Sequence, residues 1–323
     1  MRYSQSEKME IIRLVEESEL PIKRTLEELD VPKSTFYRWY RRYNEYGYDG
    51  LASRPPNANR FWNRIPDHEK EKVVEVALDY PELSPRELAW KITDGDGTFI
   101  SESSVYRILK ERGLITSPAW ILMAAADEFK DKTSYVHQQW QTDFTYFKII
   151  GWGWYYLATV MDDYSRYIIT WELCKNMETD DAKRVVSVAI QESGIDEQER
   201  PRLLTDNGSC YISKEFKKFI EDEGLGHVQG APYHPQTQGK IERYHRTMKN
   251  VVKLENYFFP DELQTSIESF VNYYNNERYH ESLGNLTPSD FYFGRDRIVK
   301  AKRHQIKMKT LKERRKINRK LSA

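Results

Sequence analysis

Apolar residues recur every three or four positions through the first third of the chain, then every second position or in unbroken runs through its middle. KMEIIRLVEES and PIKRTLEELD carry the helical period, and after a break at VPKS the run STFYRWYRRYNEYG carries it again, with Ser34 placed to cap it. Residues 1–46 therefore predict a three-helix unit. Gly47 to Pro66 reads as a linker, because its glycines, prolines and arginines (Arg54, Arg60 and Arg64) leave little to bury. The three-helix plan returns over 67–113. DHEKEKVVEVALDYP is its first helix. SPRELAWKITD, where Ser84, Pro85 and Glu87 spell a capping box, is its second. SESSVYRILKERG, opened by Ser101 and ended by Gly113, is its third. Residues 114–136, with the apolar stretch AWILM, form a connector.

From His137 the pattern changes. QWQTDFTYFKII, GWGW and YYLATVMDDYSRYIITWELC read as strand-like runs of a meander, with Asp162 and Asp163 in a structural turn. Thr179 to Ser193 predicts a helix stopped by Gly194, Arg202 to Asp206 a fourth strand, Ser213 to Glu223 a helix and His227 to Gly230 a fifth strand. A helix from Gln238 or Gly239 to about Asn256 and another from Asp261 to Asn275 complete residues 137–294. Strands followed by alternating helices and strands imply a multidomain chain: N-terminal all-α units, then an α/β core with a mixed five-stranded sheet flanked by helices.

The 323 residues suffice for two to four domains. Fifty basic residues balance fifty acidic ones, which taken alone argues against a polyanion as partner. Distribution reverses that impression. Residues 295–323 hold thirteen Lys/Arg against two Asp/Glu, whereas 127–223 hold twelve against nineteen. An acidic middle flanked by a basic end suits metal-dependent chemistry on a phosphate polymer. The basic tail has few core-forming residues and is expected to order only on DNA. Two cysteines, Cys174 and Cys210, support neither a disulfide framework nor a zinc knuckle. Apolar runs are too short for a membrane span, and no secretory signal core opens the chain.

Three acids stand out by their settings. Asp143 lies in a strand-like run of aromatic and β-branched residues, Asp206 ends another, and Glu242 sits in a helical pattern, with thirty-five residues between it and Asp206. Asn207-Gly208 after Asp206 is a pair that readily takes positive φ, which would leave the carboxylate at a strand tip. PYHPQTQGK before Glu242 is a polar loop ending where a helix can begin. Along that helix Arg246 and Lys249 share a face with Glu242. Three carboxylates from separate elements can hold two divalent ions about 3.5–4 Å apart, the arrangement for in-line attack at a phosphodiester. Mg²⁺ suits such hard oxygen ligands.

LLTDNGS, PYHPQTQGKIER and NERYHESLGNLTPSDFY, together with these acids, make residues from about Gln138 to Gly294 resemble the integrase core of DDE transposases. Within that group the chain is similar to bacterial insertion-sequence transposases related to retroviral integrases. The resemblance implies a ribonuclease-H-like fold with the first and fourth strands adjacent. It also implies a site in which Asp143 and Asp206 hold one Mg²⁺ and Asp143 with Glu242 the other, Mn²⁺ being able to substitute. Cleavage would free a 3′-hydroxyl that attacks target DNA directly, without a nucleotide cofactor; no G-x-x-x-x-G-K-[ST] loop occurs. His234 and Gln236 would position the loop at the scissile phosphate, Lys240 and Arg243 would touch the DNA backbone, and Arg246 and Lys249 would hold the donor end.

The two helical units then read as helix-turn-helix modules for the transposon's terminal repeats. Arg38, Arg41 and Arg42 lie on the last helix of the first, and Ser103, Ser104 and Arg107 near the start of the last helix of the second. The plainer alternative for the first is an amphipathic helix with aromatics inward and arginines solvated. The resemblance further implies a homodimer or larger assembly on double-stranded DNA, in the bacterial cytoplasm at the nucleoid. A tyrosine recombinase is disfavoured because no histidine is followed by arginine at i+3. A simple ribonuclease H would not need two helix-turn-helix units. A catalytically silent DNA-binding regulator derived from a transposase is the remaining alternative.

Overall fold

In a computed structural model, the described residues are 3–18, 20–52, 62–115, 133–229, 239–253 and 256–320. They form two compact units, one of residues 1–64 with 315–323 and one of 65–314.

In the first unit, α1 (Gln5–Glu17) opens on a capping box between Ser4 and Glu7, followed by α2 (Ile22–Glu28) and α3 (Lys33–Tyr46). Ser34 is not the cap of α3; Pro32 occupies that position, and the fixed φ of proline starts the helix there without a side-chain bond. Ile12, Val15, Leu26, Val31, Phe36 and Trp39 form the core, each fully buried apolar side chain contributing about 1.5–3 kcal/mol. Part of the expected linker belongs to this core. A 3₁₀ turn, Gly47–Leu51, inserts Leu51, and the Lys8 ammonium donates to the Leu51 carbonyl at 2.9 Å. Gly50 permits that approach, since a Cβ there would lie 2.2 Å from the Arg42 carbonyl oxygen. Arg54 and Arg60 lie outside the described residues.

The second unit contains both the next three helices and the sheet, so the boundary expected at 113 does not separate two bodies. Helices α4 (Asp67–Asp79), α5 (Pro85–Asp96) and α6 (Glu102–Glu111) surround Val73, Leu88, Ile92, Val105 and Ile108. The Ser84–Glu87 capping box of α5 is formed. Ser101 occupies the N-cap of α6, but its hydroxyl bonds Ser103 and Ser104 rather than backbone. Most of the expected connector lies outside the described residues.

The sheet comprises β1 (Gln139–Ile149), β2 (Gly153–Asp162), β3 (Ile168–Cys174), β4 (Arg202–Thr205) and β5 (Gly226–Gln229), in the order β3-β2-β1-β4-β5. The meander is antiparallel; β4 and β5 join in parallel, making the sheet mixed with β1 beside β4. Alternation along the strands supplies two buried faces. Trp140, Ala158 and Val160 pack with α7 (Thr179–Ser193), α8 (Ser209–Ile212) and α9 (Lys214–Asp222). Phe147, Ile149, Tyr155 and Leu157 pack with α10 (Gly239–Val252) and α11 (Pro260–Asn276). A short α12 (Pro288–Tyr292) follows.

The basic tail is a correction. Rather than irregular, it is a 25-residue helix, α13 (Asp296–Lys320). Up to Arg314 its inward face is built from arginines. Arg303 pairs with Asp94 at 2.6 Å and lies over the Trp90 ring, while Arg314 bonds Glu69 and the Phe99 carbonyl. A count of apolar residues misses a helix docked through buried, paired cations.

Candidate active site

Register explains how two acids come together. In the parallel β1–β4 pair the last rung is Gln141 with Leu204. Asp143, within β1, and Asp206, just past the end of β4, each lie two residues beyond that rung, so the strand period puts both toward one face of the sheet, on strands about 4.8 Å apart. Their carboxylates sense each other. Burial pushes the Asp206 carboxyl above the usual carboxylate range, the Gly208 N–H opposes this by donating at 2.8 Å, and the negative charge of Asp143 adds to the rise. Both charges also act on Cys210, whose thiol is pushed up to about 11, chiefly by burial.

The turn after Asp206 works differently from expectation. Neither Asn207 nor Gly208 has positive φ; Gly208 sits at −59°. Its lack of a side chain matters for space, because a Cβ there would lie 2.9 Å from Asp206 Oδ1.

Asp143 is held on both oxygens. Oδ1 accepts the Phe144 N–H at 2.8 Å, and Oδ2 lies 3.3 Å from His245 Nδ1. The other nitrogen of His245 is 3.5 Å from Thr159 Oγ1. His245 is buried on α10, three residues after Glu242. Sequence reading passed over it, although its i+3 spacing was visible. Gln141 was also missed: its side-chain oxygen accepts the Ile241 N–H at 3.1 Å and its amide donates to Asp163 at 2.6 Å. The Lys240 ammonium completes this attachment on Asp163, whose carboxylate also accepts from Thr133. Burial holds the Lys240 pKa below its usual value, with the charge of Arg166 adding and Asp163 opposing.

Asp162 bears out the structural reading of that turn. Its carboxylate accepts from the backbone of His137 and from Ser165 backbone and hydroxyl, and burial still raises its pKa. His280 fixes its loop through backbone, not ring. Its N–H donates to Leu286 and its carbonyl accepts from Asn285, while ring Nε2 has no partner among the described residues. Burial pushes that ring's pKa down to about 3.

Glu242 does not join the pair. It is exposed in the first turn of α10, because the helix turns Ile241, Tyr244, His245 and Met248 into the core. Among the described residues, no three His, Cys, Asp or Glu side chains stand close enough to hold a metal ion. The expected gathering of Asp143, Asp206 and Glu242 into one group is therefore not seen among the described residues.

The other predicted contacts divide similarly. Arg243 and Arg246 are exposed on α10. Lys249 lies 4.4 Å from the Tyr146 ring and feels the charge of Asp143. The Lys240 ammonium is bound to Asp163 instead of facing outward. His234 and Gln236 lie outside the described residues. On α3, Arg38 and Arg41 are exposed and Arg42 donates to the Ala52 carbonyl. On α6, Ser103 and Arg107 are exposed, but Ser104 is buried and bonded to Ser101 and Arg107. That removes Ser104 from the side chains facing a base edge.

Comparison with known proteins agrees with this architecture. Residues 134–235 and 223–288 match two family models, each described as an integrase core domain, and residues 2–52 and 35–109 match models of a homeodomain-like domain. A Gag-Pro-Pol polyprotein of squirrel monkey retrovirus is 36% identical over 118 residues, 35% of this chain and 6% of that protein. An IgE-binding protein of Mus musculus is 51% identical over 51 residues, 16% of this chain and 9% of that one. The chain therefore matches less than a tenth of the length of either relative. The HTLV-2 integrase catalytic core domain, solved in complex with magnesium in a dimeric form, aligns at 21% identity and a TM-score of 0.40. The alignment covers 49% of this chain and 97% of that one. Matches to homeodomain-like domains over the N-terminal helices are thus followed, over the residues that build the five-stranded sheet, by matches to integrase core domain models.

Proposed function

We propose that the protein is a DNA transposase/integrase that binds the ends of an insertion sequence and cleaves and joins DNA by direct phosphodiester attack. One observation carries the reading: within the stretch that matches an integrase core domain, Asp143 on β1 and Asp206 just past the end of the adjacent parallel β4 lie two residues beyond the same rung, and the charge of Asp143 acts on Asp206. Two hard carboxylates on adjacent strands form a donor pair suited to Mg²⁺ or Mn²⁺. Asp143 and Asp206 would hold such an ion, and Glu242 would join only after its helical turn reorients. A divalent ion bound there supplies charge stabilisation at the attacked phosphate.

The chain's own residues do the positioning. Gly208 holds Asp206, Phe144 and His245 hold Asp143, and Gln141 with the Lys240–Asp163 pair ties the first turn of α10 to the sheet. Arg243, Arg246 and Lys249 line the route of the DNA backbone. Helix-turn-helix residues including Arg38, Arg41 and Arg107 would engage the terminal repeats, in a dimer or larger assembly that brings two ends together.

A second reading, a DNA-binding regulator without catalysis, is favoured by the outward position of Glu242. The deciding experiment is cleavage of a duplex bearing the element's end, in Mg²⁺ and in Mn²⁺, by the full chain and by Asp206→Asn and Glu242→Gln. Loss of cleavage in both variants with retained binding is expected. Absence of cleavage by the unaltered chain, with specific binding intact, would favour the regulator.

A further inference from the structure

Among the described residues no strand pairs with the β4 side of β1 beyond Gln141, and Tyr146 and Lys148 there are exposed. Tyr146 and Trp154 are about half exposed and meet edge to face, with ring centroids 5.4 Å apart. Lysines from two elements converge on them. Lys249 of α10 and Lys253 just past its end lie 4.4 and 5.8 Å from the Tyr146 centroid, and Lys148 of β1 lies 5.9 Å from that of Trp154. Glu242, Arg246 and Lys249 fall at i, i+4 and i+7, so a single helical stripe runs from the acid to this cluster. Lys249 lies one helical turn beyond His245, which stands 3.3 Å from Asp143, and Tyr146 lies three residues after Asp143 on β1, so the cluster neighbours that carboxylate.

Exposed aromatic rings without cations would suit an apolar protein surface. Here an apolar partner would have to strip water from three ammonium groups, which is costly. A nucleobase offers a π face to the rings while its phosphates meet the lysines, and this combination characterises single-strand binding surfaces. We propose that Tyr146 and Trp154, with Lys148, Lys249 and Lys253, form a stacking ledge for an unpaired nucleotide of a single-stranded DNA segment beside Asp143 and Asp206. The assignment of DNA as polymer rests on the function proposed above. The ledge adds that the strand next to the site is held unpaired.

The test uses the full chain in metal-free buffer. Binding of a blunt duplex is compared with that of the same duplex carrying a short single-stranded overhang labelled with 2-aminopurine. The overhang should bind more tightly, with its fluorescence quenched. Tyr146→Ala should reduce that preference about tenfold and relieve the quench. Tyr146→Phe should retain both, and blunt-duplex binding should be unchanged in either variant. Thermal melting establishes that the variants are folded. No overhang preference, or one unaffected in folded Tyr146→Ala, would overturn the proposal. So would an effect of that variant confined to self-association, read by sedimentation. Overhang preference in a chain that never cleaves DNA would leave the ledge standing and sink the catalytic reading instead.

Discussion

The two halves of the candidate site are attached in different ways. Asp143 and Asp206 stand on neighbouring strands whose backbone ladder sets their spacing, so that half is determined by register. Glu242 stands on a helix that reaches the sheet through side chains. Its links are a Gln141 bond to backbone, the Lys240–Asp163 ion pair and the His245–Asp143 contact, above an apolar face. A ladder shares its load over many bonds; a helix held by three polar links can change its attitude when one of them changes. The strand-borne half is therefore a preformed acidic pair, and the helix-borne half is its adjustable member.

Substituting a link should disturb the halves unequally. In Lys240→Met the largely buried Asp163 loses its cation, an expected cost of about 3 kcal/mol in unfolding free energy. Hydrogen exchange should show the α10 amides loosening while β1 and β4 stay protected. Equal loss in the sheet would break the distinction.

Gly208→Ala probes the opposite half. The added methyl meets the movable end of the Asp206 side chain rather than backbone, so melting should change little. Displacing one carboxylate by a fraction of an ångström to an ångström should nevertheless lower cleavage about ten- to a hundredfold. Unchanged cleavage would show that the Asp206 position is not critical.

A third effect, confined to acid, leaves the comparison at neutral pH unchanged. His280 packs against Tyr274 of α11, which packs against Tyr244 of α10. Its folded pKa, about 3, lies below the ordinary value of 6.5. A lowered histidine contributes stability that is present above about 6.5 and lost as pH falls from there toward 3, by at most about 1.4 kcal/mol per pH unit. Melting followed from pH 7 to pH 4 should therefore decline less steeply in His280→Gln than in the unaltered chain. Identical slopes would remove His280 as the cause.

Local signals were legible where a short segment settles its own conformation. The helix from Thr179 to Ser193 and its Gly194 stop, and the Ser84–Glu87 capping box, came directly from spacing and cap chemistry. The residues Asp143 and Asp206 were also legible, because one lies within a strand-like run and the other ends one. Less legible were features that depend on what lies opposite. Gly208 was chosen by eye for its backbone freedom but serves by leaving room for a carboxylate. Ser104 has the polarity of a base reader but faces inward. The lysine- and arginine-rich tail looked unable to pack until Asp94 and Glu69 were placed against Arg303 and Arg314.

Sequence alone thus determined the order of helices and strands, the acidic residues worth testing and the family they resemble, because period, caps and motif spacing are properties of a short stretch of chain. Only the tertiary structure decided that β1 lies beside β4, bringing Asp143 and Asp206 onto neighbouring strands, that His245 and Gln141 tie α10 to the sheet, and that Arg303 and Arg314 of the basic helix can be buried. Each of those depends on which distant side chain supplies the opposite charge, the hydrogen-bond partner or the empty space, and chain order does not encode that locally.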